Sequence, residues 1–238
     1  MASSPLVARG FLEVPLVLSY DMMFDEITAS SLVKIDANGN PVVPTAHPVN
    51  PAGFTIHSAL HMTRSDAQAV MHLHTPHGQA VSAMADGLLP HTQTAMSILH
   101  DLAYHDYEGI ATDLEERERL VADINAKNAM ILRNQGTLAV GASVAECFLR
   151  LYFLERACEA QVMMLSAGHD GLHTPPQGTP QKVAHQTEAQ SVAIHGRTET
   201  RMARAAAQTG QTGYIVQSLD NQLFNTVRSD DHQRILIA

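Results

Sequence analysis

Residues 69–78 read AVMHLHTPHG, and the period of the chain changes part-way through them. Side chains on a β-strand alternate faces, so His72 and His74 point the same way, with imidazoles close enough to share one ion. Thr75 reads as a helix N-cap and Pro76 as the first helical residue, which ends the strand and starts a helix directly behind the two histidines. The reading therefore places two nitrogen ligands at a strand end. Two histidines are not a site, and the chemistry depends on what else reaches them.

Upstream, Asn50 is a cap and Pro51 a first-turn residue for a helix through about Thr63, with Phe54, His57, Leu60 and His61 on one face. Pro44, Pro48 and Pro51 break the chain before it. Leu32 to Asp36 alternates like a strand, Asn38-Gly39 is a hairpin signal, and Pro41 to Val43 is the expected return strand. Residues 1–31 carry weak periodicity, consistent with an edge strand and a loop.

Downstream, the helix from Thr75 carries Val81 and Met84 inward and is expected to stop near Gly87. Residues 88–112 are mixed, with a strand near Ala103 to His105 and a polar turn at Tyr107-Glu108-Gly109. Asp113 is read as the cap of an amphipathic helix, LEERERLVADINA, whose charges form a solvated face. Ala129 to Arg133, Asn134-Gln135-Gly136 and Thr137 to Gly141 make a hairpin-like unit. Ser143 followed by Glu146 forms a capping box for a long helix through about Ser166. This alternation of two-fold and helical periods predicts an α/β fold with helices covering a central sheet.

Composition shifts at Gly168. The sequence HDGLHTPPQGTPQ reads as a Pro/Gly linker, and Lys182 to Ala207 as a surface helix or arm, while Gly213 to Ala238 has no clear assignment. The expected organisation is one domain over residues 1–168 and a linker with a C-terminal tail or helix over 169–238.

The length of 238 residues is enough for one sizeable core. A net charge of -9 argues against nucleic acid or an anionic membrane as partner, because both need a basic face. Cys147 and Cys158 lie about three turns apart on one predicted helix and cannot bridge each other, which suits a reducing cytoplasm. Glu13 and Pro15 interrupt the apolar opening and no small-residue cleavage site follows, so no signal peptide is expected. No apolar run reaches the roughly 20 residues that a membrane span needs. The expectation is a soluble, cytoplasmic protein.

Five stretches taken together resemble the class II aldolase/adducin family: FDEITASSLVKIDANGN, NPAGFTIHSALH, AVMHLHTPHGQAVSAM, AYHDYEGIATDLEERERLV and NAMILRNQGTLAVGASVAECFLRLYFLERACEAQ. The resemblance runs from about Phe24 to Gln161. It implies a three-layer α/β/α fold with a mostly antiparallel central sheet. It also implies homo-oligomers, tetramers in relatives, whose neighbouring subunits complete the active sites. Enzymes of the family hold a divalent metal, usually Zn2+, with three histidines, two of which match His72 and His74. That metal polarises a carbonyl of a small hydroxy-carbonyl substrate during carbon–carbon cleavage.

Three departures stand out. The third ligand of the family pattern falls in an RNHG turn, and the matching residues here are Arg133-Asn134-Gln135-Gly136, an amide in place of an imidazole. A neutral amide oxygen is a poor zinc ligand. Sugar-phosphate aldolases similar to this chain carry a glutamate acid/base where NPAGF, residues 50–54, stands here, and NPAGF contains no carboxylate. The helix and Gly/Asn/Ser-rich loop that hold the substrate phosphate in such aldolases have no counterpart. Both ends match the family poorly, as expected of a truncated or divergent copy.

Each candidate has a plainer alternative. His72 and His74 would also serve as polar residues satisfied inside a sheet, and His77, early in the following helix, is read either as a hydrogen-bond partner of a ligand or carboxylate or as an ordinary exposed helix histidine. Tyr107 and Glu108 are candidates for proton transfer or a subunit contact, against simple turn chemistry around Gly109. Glu26, Thr28 and Ser30 fit a substrate-side loop or a helix start. Met22, Met23, Met163 and Met164 read as core or interface filler, and the two cysteines as buried structural residues.

Two functions follow from these residues. The first is a metal-dependent lyase of retro-aldol, epimerase or decarboxylase type, with His72, His74 and Gln135 (or a water) at the metal and Tyr107 or Glu108 handling a proton. The second is a non-catalytic, adducin-like scaffold that keeps the fold for self-association and cytoskeletal, actin-binding contacts.

Overall fold

The computed structural model describes residues 16–23, 26–189 and 235–237. Along the chain run β1 (Leu16–Val17), β2 (Val33–Lys34), α1 (Pro51–Thr63), β3 (Ala69–Leu73), α2 (Pro76–Ser82), α3 (Gln93–Leu99), β4 (Leu102–His105), α4 (Glu116–Ile124), β5 (Ala129–Leu132), β6 (Gly136–Gly141), α5 (Val144–Leu165) and β7 (Ile235–Ile237).

Local chemistry sets most boundaries where the sequence predicts them. The Asn50 side chain accepts from Ala52 N at 3.1 Å and Pro51 occupies the first turn of α1. Thr75 caps α2 by accepting from Gly78 N at 3.0 Å, and Ser143 caps α5 by accepting from Glu146 N at 3.2 Å. Each cap satisfies an amide left over at a helix start. Four expectations shift. The return strand at 41–43 reduces to a single bridge, Ile35 to Pro41, because prolines 41 and 44 lack the N–H groups a ladder uses. The second helix ends at Ser82, with turns carrying the chain on to Gly87. Asp113 accepts from Glu115 N at 2.9 Å, so its side chain is used one residue before α4 begins. Helix α3 arises in the stretch read as mixed, capped by Thr92 and held by burial of Ala95 and Ile98.

The strands form one sheet in the order β2-β1-β7-β3-β6-β5-β4. β1–β2, β3–β6 and β5–β6 are antiparallel, and β1–β7, β3–β7 and β4–β5 are parallel. The α/β expectation holds, with a sheet more mixed than the mostly antiparallel one implied by the resemblance. Helix α4 accounts for one parallel pair, since it carries the chain back between β4 and β5.

Strand alternation sorts the core into two layers. Val70, Met130, Leu132, Leu138 and Val140 pack against Ile56 and Leu60 of α1 and Leu120 and Ile124 of α4. Their neighbours on the opposite face, Ala69, Met71, Leu73, Ala139, Ala129 and Ile131, meet Leu151, Leu154 and Cys158 of α5 and Val81 of α2. His72 shares the parity of Val70 and lies on the α1 side. Thr137 shares that of Ala139, and its side chain faces α5.

Residues 179–189 are helical; 190–207, the rest of the stretch expected as a surface helix or arm, and the opening 15 residues lie outside the described residues. Among the described residues no helix is long and apolar enough to cross a membrane.

Candidate functional site

β3 and the β5–β6 hairpin meet at their ends. The register pairs Leu73 with Thr137 and Leu132 with Gly136. Arg133, Asn134 and Gln135 make the connection, with Asn134 in the left-handed region at φ 57°, a conformation asparagine tolerates. A Cβ on Gly136 would come within 2.1 Å of the Leu73 carbonyl oxygen. Only glycine lets the turn press this closely against the end of β3, and that brings Gln135 beside the histidines.

A cavity of about 500 Å3 opens there. Its walls include Asn50, Gly53 and Ile56 from the start of α1, His72 and His74, Tyr107 and Ile110 from the loop after β4, and Asn134 and Gln135 from the hairpin turn. Its lining contains no carboxylate, so the histidines and Tyr107 are the acid–base groups among the described residues that reach it. Four of the five candidate site residues share this cavity. The fifth, Glu108, is absent from the lining and pairs with Arg119, whose Nε donates to its Oε1 at 2.6 Å. That guanidinium holds the Glu108 carboxyl below its ordinary range, as a carboxylate.

The two imidazoles approach edge to face, with Nε2 to Nε2 at 2.7 Å and ring centroids 4.6 Å apart. His72 Nδ1 lies 2.9 Å from the Thr137 carbonyl oxygen. A carbonyl can only accept, so Nδ1 carries the proton and the Nε2 lone pair is aimed at His74. His74 is held from behind, where Gln79 Nε2 donates to its carbonyl at 2.8 Å. Burial, and then the neighbouring His74, push His72 from 6.5 down to about 4. Burial also lowers His74. Both rings are thereby kept neutral, the form in which imidazole binds a metal.

These residues fit a divalent ion at the Nε2 atoms. Two nitrogens each about 2 Å from a tetrahedral ion lie about 3.3 Å apart, so the pair would open by about 0.6 Å from its present 2.7 Å to share one. The other side-chain donors on the cavity wall are neutral, the amides of Asn50, Gln79, Asn134 and Gln135 and the Tyr107 phenol, and among the described residues there is no cluster of three or more His, Cys, Asp or Glu arranged for a metal. The set suits a weakly held ion with open positions.

Comparison with known proteins agrees with this architecture. The model of the Class II Aldolase and Adducin N-terminal domain matches residues 13–162. The chain belongs to this family. A Caulobacter vibrioides protein, named provisionally as a class 2 aldolase, is 57% identical over 171 residues, 72% of this chain and 66% of its own length. Mouse alpha-adducin is 46% identical over 66% of this chain, yet that match spans only 22% of adducin. A crystal structure of an aldolase II superfamily protein from Pseudomonas syringae superposes with a TM-score of 0.76 at 46% identity, covering 82% of this chain and 78% of that one.

Within this family frame, three contributors escape a reading of the sequence alone. The Thr137 carbonyl belongs to the backbone and leaves no signal. Gln79 is one more polar residue on a helix. Glu155, which accepts from the Thr137 and Thr75 hydroxyls beside the histidines, did leave one, as a carboxylate set among Leu151, Leu154 and Cys158 on the apolar stripe of α5.

Proposed function

We propose that this chain is a divalent-metal-dependent lyase of the class II aldolase type that acts on a small hydroxy-carbonyl compound. The convergence of His72 and His74 at 2.7 Å on the wall of an open cavity carries the reading. His72 and His74 hold the ion through Nε2, with the Gln135 amide oxygen or a water beside them. A bound divalent ion supplies Lewis acidity, polarising the substrate carbonyl so that negative charge can develop next to it. The Thr137 carbonyl keeps the proton on His72 Nδ1 and its Nε2 free. Tyr107, half exposed at the cavity, moves a proton at its phenol oxygen, since among the described residues no carboxylate lines the cavity to take that role. Glu108 enters through its pair with Arg119, which ties the Tyr107 loop to α4. Homo-oligomeric assembly, as in the enzymes of this family, belongs to the same proposal.

The neutral amide at 135 and the lack of a carboxylate among the described lining residues also favour a second reading, a non-catalytic scaffold of adducin type. One experiment separates the two. The purified full chain is dialysed and its metal content measured by elemental analysis, alone and as Gln135→His, and both are assayed for cleavage of phosphorylated and unphosphorylated hydroxy-carbonyl compounds. Metal in the unaltered chain, with turnover that chelation removes, supports the lyase. Metal in the variant alone overturns it in favour of the scaffold.

A further inference from the structure

Behind the histidine pair, across the sheet, lies a carboxylate to which the proposed chemistry gives no task. Glu155 sits in the middle of α5 and is 3% exposed. Its apolar neighbours desolvate it, and burial pushes its carboxyl above the ordinary carboxylate range. Each oxygen has its own hydroxyl donor: Thr137 Oγ1 donates to Oε1 and Thr75 Oγ1 donates to Oε2. Both threonines adjoin the site. Thr75 follows His74 directly and caps α2 through Gly78 N. Thr137 presents its carbonyl to His72 Nδ1. The approach is close enough that a Cβ on Gly78 would sit 3.0 Å from Oε1 and 2.8 Å from Thr75 Oγ1, so a larger residue there crowds the carboxylate.

We infer that Glu155 is a positioning residue that fixes His72 and His74 by pinning Thr137 and Thr75. One carboxylate on α5 clamps the first residues of β6 and the residue at which β3 gives way to α2. It thereby sets the direction of the carbonyl that selects the His72 tautomer and the path on which the chain leaves His74. Packing alone gives no reason for an acid here. A leucine fills a gap between apolar side chains without the desolvation penalty of a buried carboxyl. The effect on ion binding rests on the function proposed for the histidine pair, whereas the effect on ring orientation does not.

The test uses the metal-free full chain and long-range proton–nitrogen correlation spectra of its histidines, in Glu155→Ala and Glu155→Gln. The unaltered chain is expected to show His72 locked with its proton on Nδ1. Glu155→Ala should lose that lock and Glu155→Gln, which keeps the shape and one acceptor, should recover part of it. Folded variants with the wild-type His72 signal overturn the inference. If Glu155→Ala does not fold, Thr137→Val decides, because it removes the hydroxyl and spares the backbone carbonyl: a displaced signal supports the inference and an unchanged one overturns it. Cobalt(II) titration followed by visible absorption gives the second readout, with affinity expected to fall roughly 10- to 100-fold in Glu155→Ala. A wild-type chain that binds no cobalt while its variants lose the His72 lock defeats the metal reading and leaves the positioning role standing.

Discussion

Two histidine sites lie at the same end of one sheet, and they differ in what their ring nitrogens face. At the end of β4, His105 is clamped on both sides, with Nδ1 2.7 Å from Asp123 Oδ2 and Nε2 3.4 Å from Glu116 Oε1. Both nitrogens are committed to carboxylates, and the ring ties β4 to α4. At the end of β3, His72 spends one nitrogen on a carbonyl and turns the other toward His74 at the cavity. Burial is the same in kind, since His105 and His72 are both almost fully covered. The partners therefore separate a brace from the group proposed to bind the ion, and a histidine count or spacing conveys neither.

Exchanging the two roles gives the largest expected effect. His72→Ala should abolish retention of a divalent ion by the dialysed chain, whereas His105→Ala should keep the ion and lower stability by about 1–3 kcal/mol, because it strands the buried Glu116 carboxylate. Elemental analysis and urea unfolding of both variants check this; loss of the ion on replacing His105 would merge the two sites. The scaffold beneath them comes next. Leu132, fully buried between β5 and the α1–α4 layer, should cost about 2–5 kcal/mol as Leu132→Ala. Urea unfolding reads that cost, and a loss under 1 kcal/mol would mean that this layer is loosely packed.

The pH dependence follows from the depressed His72. Its neutral form is favoured in the fold, so the unfolded chain binds more protons between about 6.5 and about 4. The stability associated with this group is fully present above pH 6.5 and is lost as pH falls through about 4. The buried His57, lowered by desolvation, acts in the same direction. Thermal melts of the metal-free chain across this range should show a slope that His72→Gln lessens; an undiminished slope assigns the effect to other groups. The smallest effect is at the cavity rim, where Asn50→Ala removes the α1 cap and should cost about 1 kcal/mol in the same melts.

Much of this arrangement is legible in the sequence. The spacing of His72 and His74, the Thr75-Pro76 helix start, the Asn50-Pro51 start and the 133–136 hairpin all stand where local patterns place them, because caps, prolines and strand alternation act over a few residues. Helix α3 was not legible, since Gln93 to Leu99 carries only short periodicity and owes its helix to packing under α5. The insertion of Ile235–Ile237 between β1 and β3 could not be read either, because a strand's neighbours are a long-range property.

The same division runs through the candidate site. By itself, the sequence determined which residues carry imidazole nitrogens at strand spacing, that an amide stands at 135, and that no acid occurs in NPAGF, for these are matters of identity and local spacing. Tertiary structure decided that Gln135 and Tyr107 join the histidines, that Glu108 is drawn to Arg119 instead, and that a backbone carbonyl meets His72 while a carboxylate across the sheet accepts from Thr137 and Thr75. Those outcomes depend on strand register and on which elements meet at one sheet end, and a one-dimensional pattern holds no record of such distances.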